Sequence, residues 1–211
     1  MKCIDECPAE ALEEEGSIMS VQKVMDTVLQ DKVFYEESGG GITLTGGEML
    51  SQPDFACELY LASKEEGLNT CCETSGFASE DIFARVIENV DFILIDVKHW
   101  NPEQHMKGTG ISNSLPYANL KYAISSGKHV LPRIPVIPQF NDSLDDAAEL
   151  ARMIKNAGGQ ECQILPFHQF GENKYSLLEH SYAYSNTPAL HKEELERYRQ
   201  QFEENGIRAF F

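Results

Sequence analysis

Phe92-Ile93-Leu94-Ile95-Asp96-Val97-Lys98 sets four apolar residues side by side and closes them with an acid and a base. A short run of consecutive apolar positions reads as a strand buried on both faces, the arrangement of a strand inside a parallel sheet. Upstream, Thr70-Cys71-Cys72-Glu73-Thr74 and Ile42-Thr43-Leu44-Thr45 are similarly short and have the same polar finish. Downstream, Gln163-Ile164-Leu165-Pro166-Phe167 repeats it. The segment His129 to Val136 is extended but carries Pro132 and Pro135, and prolines remove ladder donors, so by itself it reads as an edge or irregular strand.

Helical patterns separate these strands. Val21, Val24, Met25, Val28 and Leu29 recur at helical spacing behind Ser20, an expected N-cap, and follow the acidic stretch Glu13-Glu14-Glu15. Ser51 and Pro53 open a helix that runs to Gly67, Ser79 caps the next, and another passes Pro116 and stops at Gly127. Ser143 caps a further helix closed by Gly158-Gly159, and Glu193 to Glu204 forms the last. Five βα units in a row give an α/β protein with a parallel sheet. Element order alone leaves both a barrel and an open doubly wound sheet available.

Acids outnumber bases 34 to 17 over 211 residues, a net charge of −17 spread along the chain. Such a field repels phosphate backbones and argues against a nucleic-acid partner. No apolar run approaches the roughly 18 residues of a membrane span, and the start lacks the apolar stretch of a secretory signal, so no membrane partner and a cytoplasmic location are expected. Six cysteines in such a setting are not a disulfide framework. Cys57 and Cys162 read as small core residues. Cys3 and Cys7 open the chain and stand apart.

Polar residues collect where the strands end. Glu48 follows the first, Glu73 and Thr74 end the second, Asp96 and Lys98 the third, Arg133 lies in the fourth and His168 follows the fifth. Singly, each could be a surface ion pair or a cap; together they favour a site, because in β/α barrels the loops after the strands converge over the sheet. Gly46-Gly47 before Glu48 leaves backbone bare for the close approach of a ligand.

In order, Gly39-Gly40-Gly41-Ile42-Thr43-Leu44-Thr45-Gly46-Gly47-Glu48, Glu73-Thr74-Ser75-Gly76, Asp96-Val97-Lys98, Arg133-Ile134-Pro135-Val136-Ile137-Pro138 and Leu165-Pro166-Phe167-His168 resemble the activating enzymes of glycyl radical enzymes, such as pyruvate formate-lyase-activating enzyme, within the radical S-adenosylmethionine superfamily. The resemblance covers Gly16 to Phe211. It implies an incomplete TIM-like β/α barrel with S-adenosylmethionine across its open top, a [4Fe-4S] cluster, a glycyl radical enzyme as protein substrate and a flavodoxin or ferredoxin-type reductant. By it, Gly46, Gly47 and Glu48 would hold the methionine amino group and Lys98 the carboxylate. Glu73, Thr74, Asp96 and Val97 would lie near the same end, His168 on the adenosine side, and Arg133 toward the protein substrate.

Cys3-Ile4-Asp5-Glu6-Cys7-Pro8 looks like the second half of a ferredoxin motif, so residues 1–15 are expected to be the end of a ferredoxin-like cluster module and 16–211 the partial barrel. The family's Cys-x3-Cys-x2-Cys loop does not occur: Cys3 and Cys7 begin it, but Glu10 stands at the third position. Met49 follows Gly-Gly-Glu where proline or alanine is usual. A chain that lacks the barrel's first strand and does not itself cleave the cofactor is therefore expected. Two other readings stay open on the residues alone. One is a different barrel enzyme, with the glycines on a phosphate and Glu48, Lys98 and His168 as acid–base groups; the other is a non-catalytic remnant using Cys3 and Cys7.

Overall fold

A computed structural model describes residues 2–12 and 16–211. The acidic stretch Glu13-Glu14-Glu15, and with it the boundary expected after residue 15, lies outside the described residues. Six strands form one sheet: β1 (Gly41–Leu44), β2 (Asn69–Thr74), β3 (Phe92–Asp96), β4 (His129–Val136), β5 (Glu161–Pro166) and β6 (Arg208–Phe210). Their spatial order is their chain order, and every neighbouring pair is parallel. A sheet with no reversal of strand order has no switch point, which excludes the doubly wound alternative. It is the singly wound, partial-barrel arrangement, in which same-handed crossovers put the helices on one face.

The helices follow the capping chemistry. In chain order they are α1 (Lys2–Asp5), α2 (Val21–Val28), α3 (Lys32–Ser38), α4 (Pro53–Glu65), α5 (Glu80–Ile87), α6 (Pro102–Thr109), α7 (Ser114–Ser125), α8 (Leu144–Asn156), α9 (Glu172–Leu177) and α10 (Glu196–Glu204). Ser20 accepts from Lys23 N and Ser143 from Asp146 N, each satisfying one free amide of a first turn. Pro53 opens α4, as its fixed φ suits. Ser79 takes the N-cap position of α5 without a side-chain cap bond.

Alternation along the strands locates the core. Cys72, Ile93, Ile95, Ile134, Val136, Cys162 and Ile164 face the helices and are buried with Phe83, Ile87, Leu120, Leu150 and Ile154. Each large apolar side chain removed from water this way contributes about 1.5–3 kcal/mol. Cys71, Glu73, Leu94, Asp96, Leu131, Arg133 and Gln163 point the other way and are only half-buried. Two expectations are corrected here. β3 is buried on one face, not two: Phe92 stays 40% exposed, because the face opposite the helices is the barrel interior. β4 is an interior strand between β3 and β5, not an edge. Pro132 and Pro135 are an odd number of residues apart, so their missing N–H groups fall on opposite edges and each neighbour loses one donor.

β1 pairs only with β2 among the described residues, which leaves its other edge open, as in a partial barrel. No described helix is long and apolar enough to cross a membrane.

Candidate functional site

The strand ends on the open face carry a connected set of charges. Arg133, on β4, pairs through Nη2 with Glu73 of β2, and reaches Asp96 Oδ1 of β3 at 3.2 Å from Nη2 and 3.3 Å from Nε. Lys98 Nζ closes on the other oxygen of Asp96 at 2.8 Å, and Thr45 Oγ1 on Glu73 Oε2 at 3.0 Å. Arg133 is the centre of this row, with only 12% of its side chain exposed. Burial works against its charge, but the two carboxylates outweigh burial and hold its pKa above the usual guanidinium value. Within this row two acids and two bases balance, and the Glu48 carboxylate beside it adds a third acid.

Glu48 sits in the turn after β1 and has a different job from the one its position suggests. Its Oε1 accepts from Leu50 N at 3.2 Å and Thr74 Oγ1 at 2.7 Å, while Oε2 accepts from Ser75 N at 2.9 Å and Ser75 Oγ at 2.6 Å. A carboxylate offers about four lone-pair sites, and all four are used inside the protein. Glu48 therefore joins the turn after β1 to the end of β2. What the turn offers a ligand is backbone: a Cβ placed on Gly46 or Gly47 would meet nothing within 4 Å, and neither glycine's carbonyl accepts a hydrogen bond among the described residues. Gly46 holds φ +108°, which requires glycine.

The structure thus brings together Gly46, Gly47, Glu48 and Thr74 at one corner, and Glu73, Asp96, Lys98 and Arg133 beside them. Val97 turns its side chain into the core and donates its N–H to Arg133 O at 2.8 Å, leaving its carbonyl for the rim. His168 is exposed after β5, stacked 4.3 Å from the Phe170 ring, and shares no hydrogen bond with the charged row among the described residues. Cys3 lies in α1 and Cys7 just beyond it. Backbone amides, Ala11 foremost, lower the Cys7 thiol pKa, Ala11 N approaching Sγ at 3.4 Å.

Sequence reasoning did not single out Thr45, Ser75 or Asn119. Ser75 lies inside the quoted Glu-Thr-Ser-Gly stretch, whereas Asn119 is mid-helix in α7 with no local signal. Fully buried, Asn119 donates to Gly76 O at 2.8 Å and Ala78 O at 2.9 Å, which fixes the loop that carries Ser75.

The pattern of the radical SAM superfamily matches residues 7–154. The choline trimethylamine-lyase activating enzyme of Oleidesulfovibrio alaskensis is 37% identical over 196 residues, which is 90% of this chain and 63% of that protein. The isethionate sulfite-lyase activating enzyme of the same organism is 39% identical, over 85% of this chain and 58% of its own. The 4-hydroxyphenylacetate decarboxylase activating enzyme of Clostridioides difficile is 32% identical over 99% of this chain and 66% of its own. The chain therefore spans 58% to 66% of the length of these relatives. In fold, a domain of pyruvate-formate lyase-activating enzyme from Bacteroides vulgatus superposes with a TM-score of 0.67 at 20% identity, covering 81% of this chain and 98% of that one.

Proposed function

The chain belongs to the radical SAM superfamily, and we propose on that premise that it serves an activating enzyme of a glycyl radical enzyme. The observation that carries this reading is the polar rim: the motifs shared with that group fall at the ends of consecutive parallel strands on one open face. Relatives named for activating a choline lyase, an isethionate lyase and a decarboxylase lie within 32% to 39% identity, and their names have activation in common, not one substrate, which supports the reading.

The rim fits the amino-acid end of S-adenosylmethionine. Bare carbonyls at Gly46 and Gly47 accept from an ammonium, and the Lys98 ammonium answers a carboxylate. Glu48, fully committed to Thr74, Ser75 and Leu50, holds the turn rather than the ligand. Thr74 and Val97 line the same end through backbone and hydroxyl groups, His168 offers a ring on the far side, and Arg133 presents the barrel's interior to the partner. Held by Gly46, Gly47 and Lys98, S-adenosylmethionine would supply, on one-electron reduction in a whole activating enzyme, the radical chemistry that removes a hydrogen atom from a glycine of the partner enzyme. The electron would come from a cytoplasmic flavodoxin or ferredoxin-type reductant.

The superfamily also implies a [4Fe-4S] cluster. Among the described residues no three His, Cys, Asp or Glu side chains gather as a metal set, and Cys3 with Cys7 falls two thiolates short of four. Cys3 and Cys7 are assigned instead to residues 1–15 as the end of a ferredoxin-like module, a role the amide-lowered thiol of Cys7 suits. Because Glu10 stands at the third position of the family's Cys-x3-Cys-x2-Cys loop, the chain alone is proposed to bind the cofactor without cleaving it.

Anaerobic calorimetric titration of S-adenosylmethionine into the chain tests this reading. Binding that weakens in Lys98→Ala supports it, and heat absent from both proteins overturns it.

A further inference from the structure

β3 leaves the sheet at Val97, whose N–H makes the last bond to β4 at Arg133 O. Pro135 has no N–H to offer the Val97 carbonyl, so the ladder ends there and the carbonyls past the strand must find donors elsewhere. Two asparagines supply them. Asn141, fully buried, donates its side-chain amide to Lys98 O at 2.7 Å and to Pro135 O at 2.9 Å, while its Oδ1 accepts from Ile137 N at 2.7 Å. Asn113, also buried, donates to His99 O at 3.1 Å and Trp100 O at 2.7 Å. Three successive carbonyls, those of Lys98, His99 and Trp100, are thus all held from outside their own segment.

Asn141 is itself fixed. Its backbone carbonyl accepts from the buried Tyr198 hydroxyl at 2.9 Å, which ties it to α10. The loop that presents it contains Gln139 at φ +64°, a left-handed conformation costly for a residue with a side chain. Strain of this kind persists where the surroundings over-determine a position, and it concentrates at functional loops.

We propose that Asn141 is a positioning residue for the cofactor site: by bridging Lys98 O and Pro135 O it staples the exits of β3 and β4 together and sets where the Lys98 ammonium stands. The function assigned to Lys98 rests on the reading given above; the staple does not. No contact with a ligand is required of Asn141, since its effect passes through the Lys98 backbone to the side chain that pairs with Asp96 at 2.8 Å.

The test uses Asn141→Asp, which keeps the acceptor for Ile137 N but turns its other carboxylate oxygen toward two carbonyls it cannot bond. Ile154→Ala, a core change in α8, serves as the control for lost stability. The first readout is the rate at which acetic anhydride labels Lys98, followed by mass spectrometry. Labelling is expected to rise several-fold in Asn141→Asp and to stay at the wild-type rate in Ile154→Ala; an unchanged rate in Asn141→Asp overturns the proposal.

The second readout is S-adenosylmethionine affinity. Asn141→Asp should weaken it roughly tenfold, the worth of one well-placed hydrogen bond, and should add nothing in a Lys98→Ala background. Equal losses in both backgrounds overturn the route through Lys98. Labelling that moves while no variant binds the cofactor upholds the staple and overturns the functional reading instead. Should Asn141→Asp not fold, Asn141→Ser, which can satisfy only one of the two carbonyls, carries the same comparisons.

Discussion

Thr74 Oγ1 donates a 2.7 Å hydrogen bond to Glu48 Oε1 across the boundary between the first two strands. With Ser75 and Leu50 on the remaining lone pairs, the carboxylate is a joint between two loops of the rim. Glu48→Ala strands four donors and is expected to cost about 2–4 kcal/mol, since unmade bonds at partly buried groups lose their desolvation as well. Glu48→Gln keeps one oxygen but sets an NH2 against donors, and should cost about half as much. Urea unfolding at constant m-value measures both; a loss under about 0.5 kcal/mol for Glu48→Ala would return Glu48 to the role of a ligand-facing acid.

Stability should fall on mild acidification because of His99. The ring is 3% exposed; its Nδ1 accepts from Asn101 N at 3.1 Å, and its Nε2 stands 3.8 Å from Asp146 Oδ1. Burial, helped by His105, lowers its pKa below the ordinary 6.5 against the pull of Asp146 and the Phe140 backbone. The sign follows from proton uptake. Below the unfolded pKa the unfolded chain binds a proton the folded chain refuses, so the stabilisation is complete above about pH 6.5 and drains away as pH falls toward the folded value. Urea midpoints between pH 8 and 5 should decline more steeply in wild type than in His99→Gln. Parallel declines would show that His99 is not the group responsible.

Much of this was legible because it is local. Ser20, Ser143 and Pro53 announce their helices by capping chemistry, and Thr70–Thr74 and Gln163–Pro166 announce strands as short apolar runs between helical patterns. α6 carried a signal that went unread: Asn101 caps it, accepting from Glu103 N and Gln104 N, and Pro102 and Gly110 bracket it. Its only buried residue is His105, so no apolar stripe marked it. β6 has just Ala209 buried and exists through its pairing with β5, a tertiary fact. At the site, residue types gave the rim, but the commitment of Glu48 to Ser75 and the reach of Asn119 to Gly76 O join residues 27 and 43 positions apart. No spacing rule spans such distances.

Gln139 is the place where a substitution should raise stability. At φ +64° its side chain is strained by about 1 kcal/mol or slightly more, while its N–H still donates to Asp142 Oδ1 at 3.0 Å. Gln139→Gly removes the strain and loses some unfolded-state restriction, for a net gain of about 0.5 kcal/mol. Gln139→Val, β-branched in the same conformation, should lose about 1–2 kcal/mol. The order Gly above Gln above Val in thermal midpoint is the expected result; Val at or above wild type would mean the loop relaxes out of the left-handed region.

Arg133 predicts a rescue. Removing it in Arg133→Met leaves Glu73 and Asp96 facing each other with no cation between them, and about 3 kcal/mol of stability should be lost, the cost of breaking a mostly buried pair. Adding Glu73→Gln removes one of the stranded charges, so the double variant should recover roughly half of that. Denaturant unfolding of the four proteins of the cycle gives the coupling directly. Additive losses would show that Arg133 is held by packing, not by its acids.

The glycines separate binding from folding. Gly46 at φ +108° cannot carry a side chain without strain, so Gly46→Ala should lose about 1 kcal/mol of stability or more and says little about ligands. Gly47 is free of that constraint, and a Cβ there meets nothing within 4 Å. Gly47→Val is therefore expected to fold with a midpoint within about 0.5 kcal/mol of wild type, as surface changes do. If the open backbone at Gly46-Gly47 receives the ammonium end of S-adenosylmethionine, the valine methyl groups occupy that approach, and affinity should fall at least about tenfold, or 1.4 kcal/mol. Calorimetric titration of the two proteins side by side reads this directly. Unchanged affinity in a folded Gly47→Val would place the cofactor elsewhere on the rim, with Lys98 but without the glycine turn.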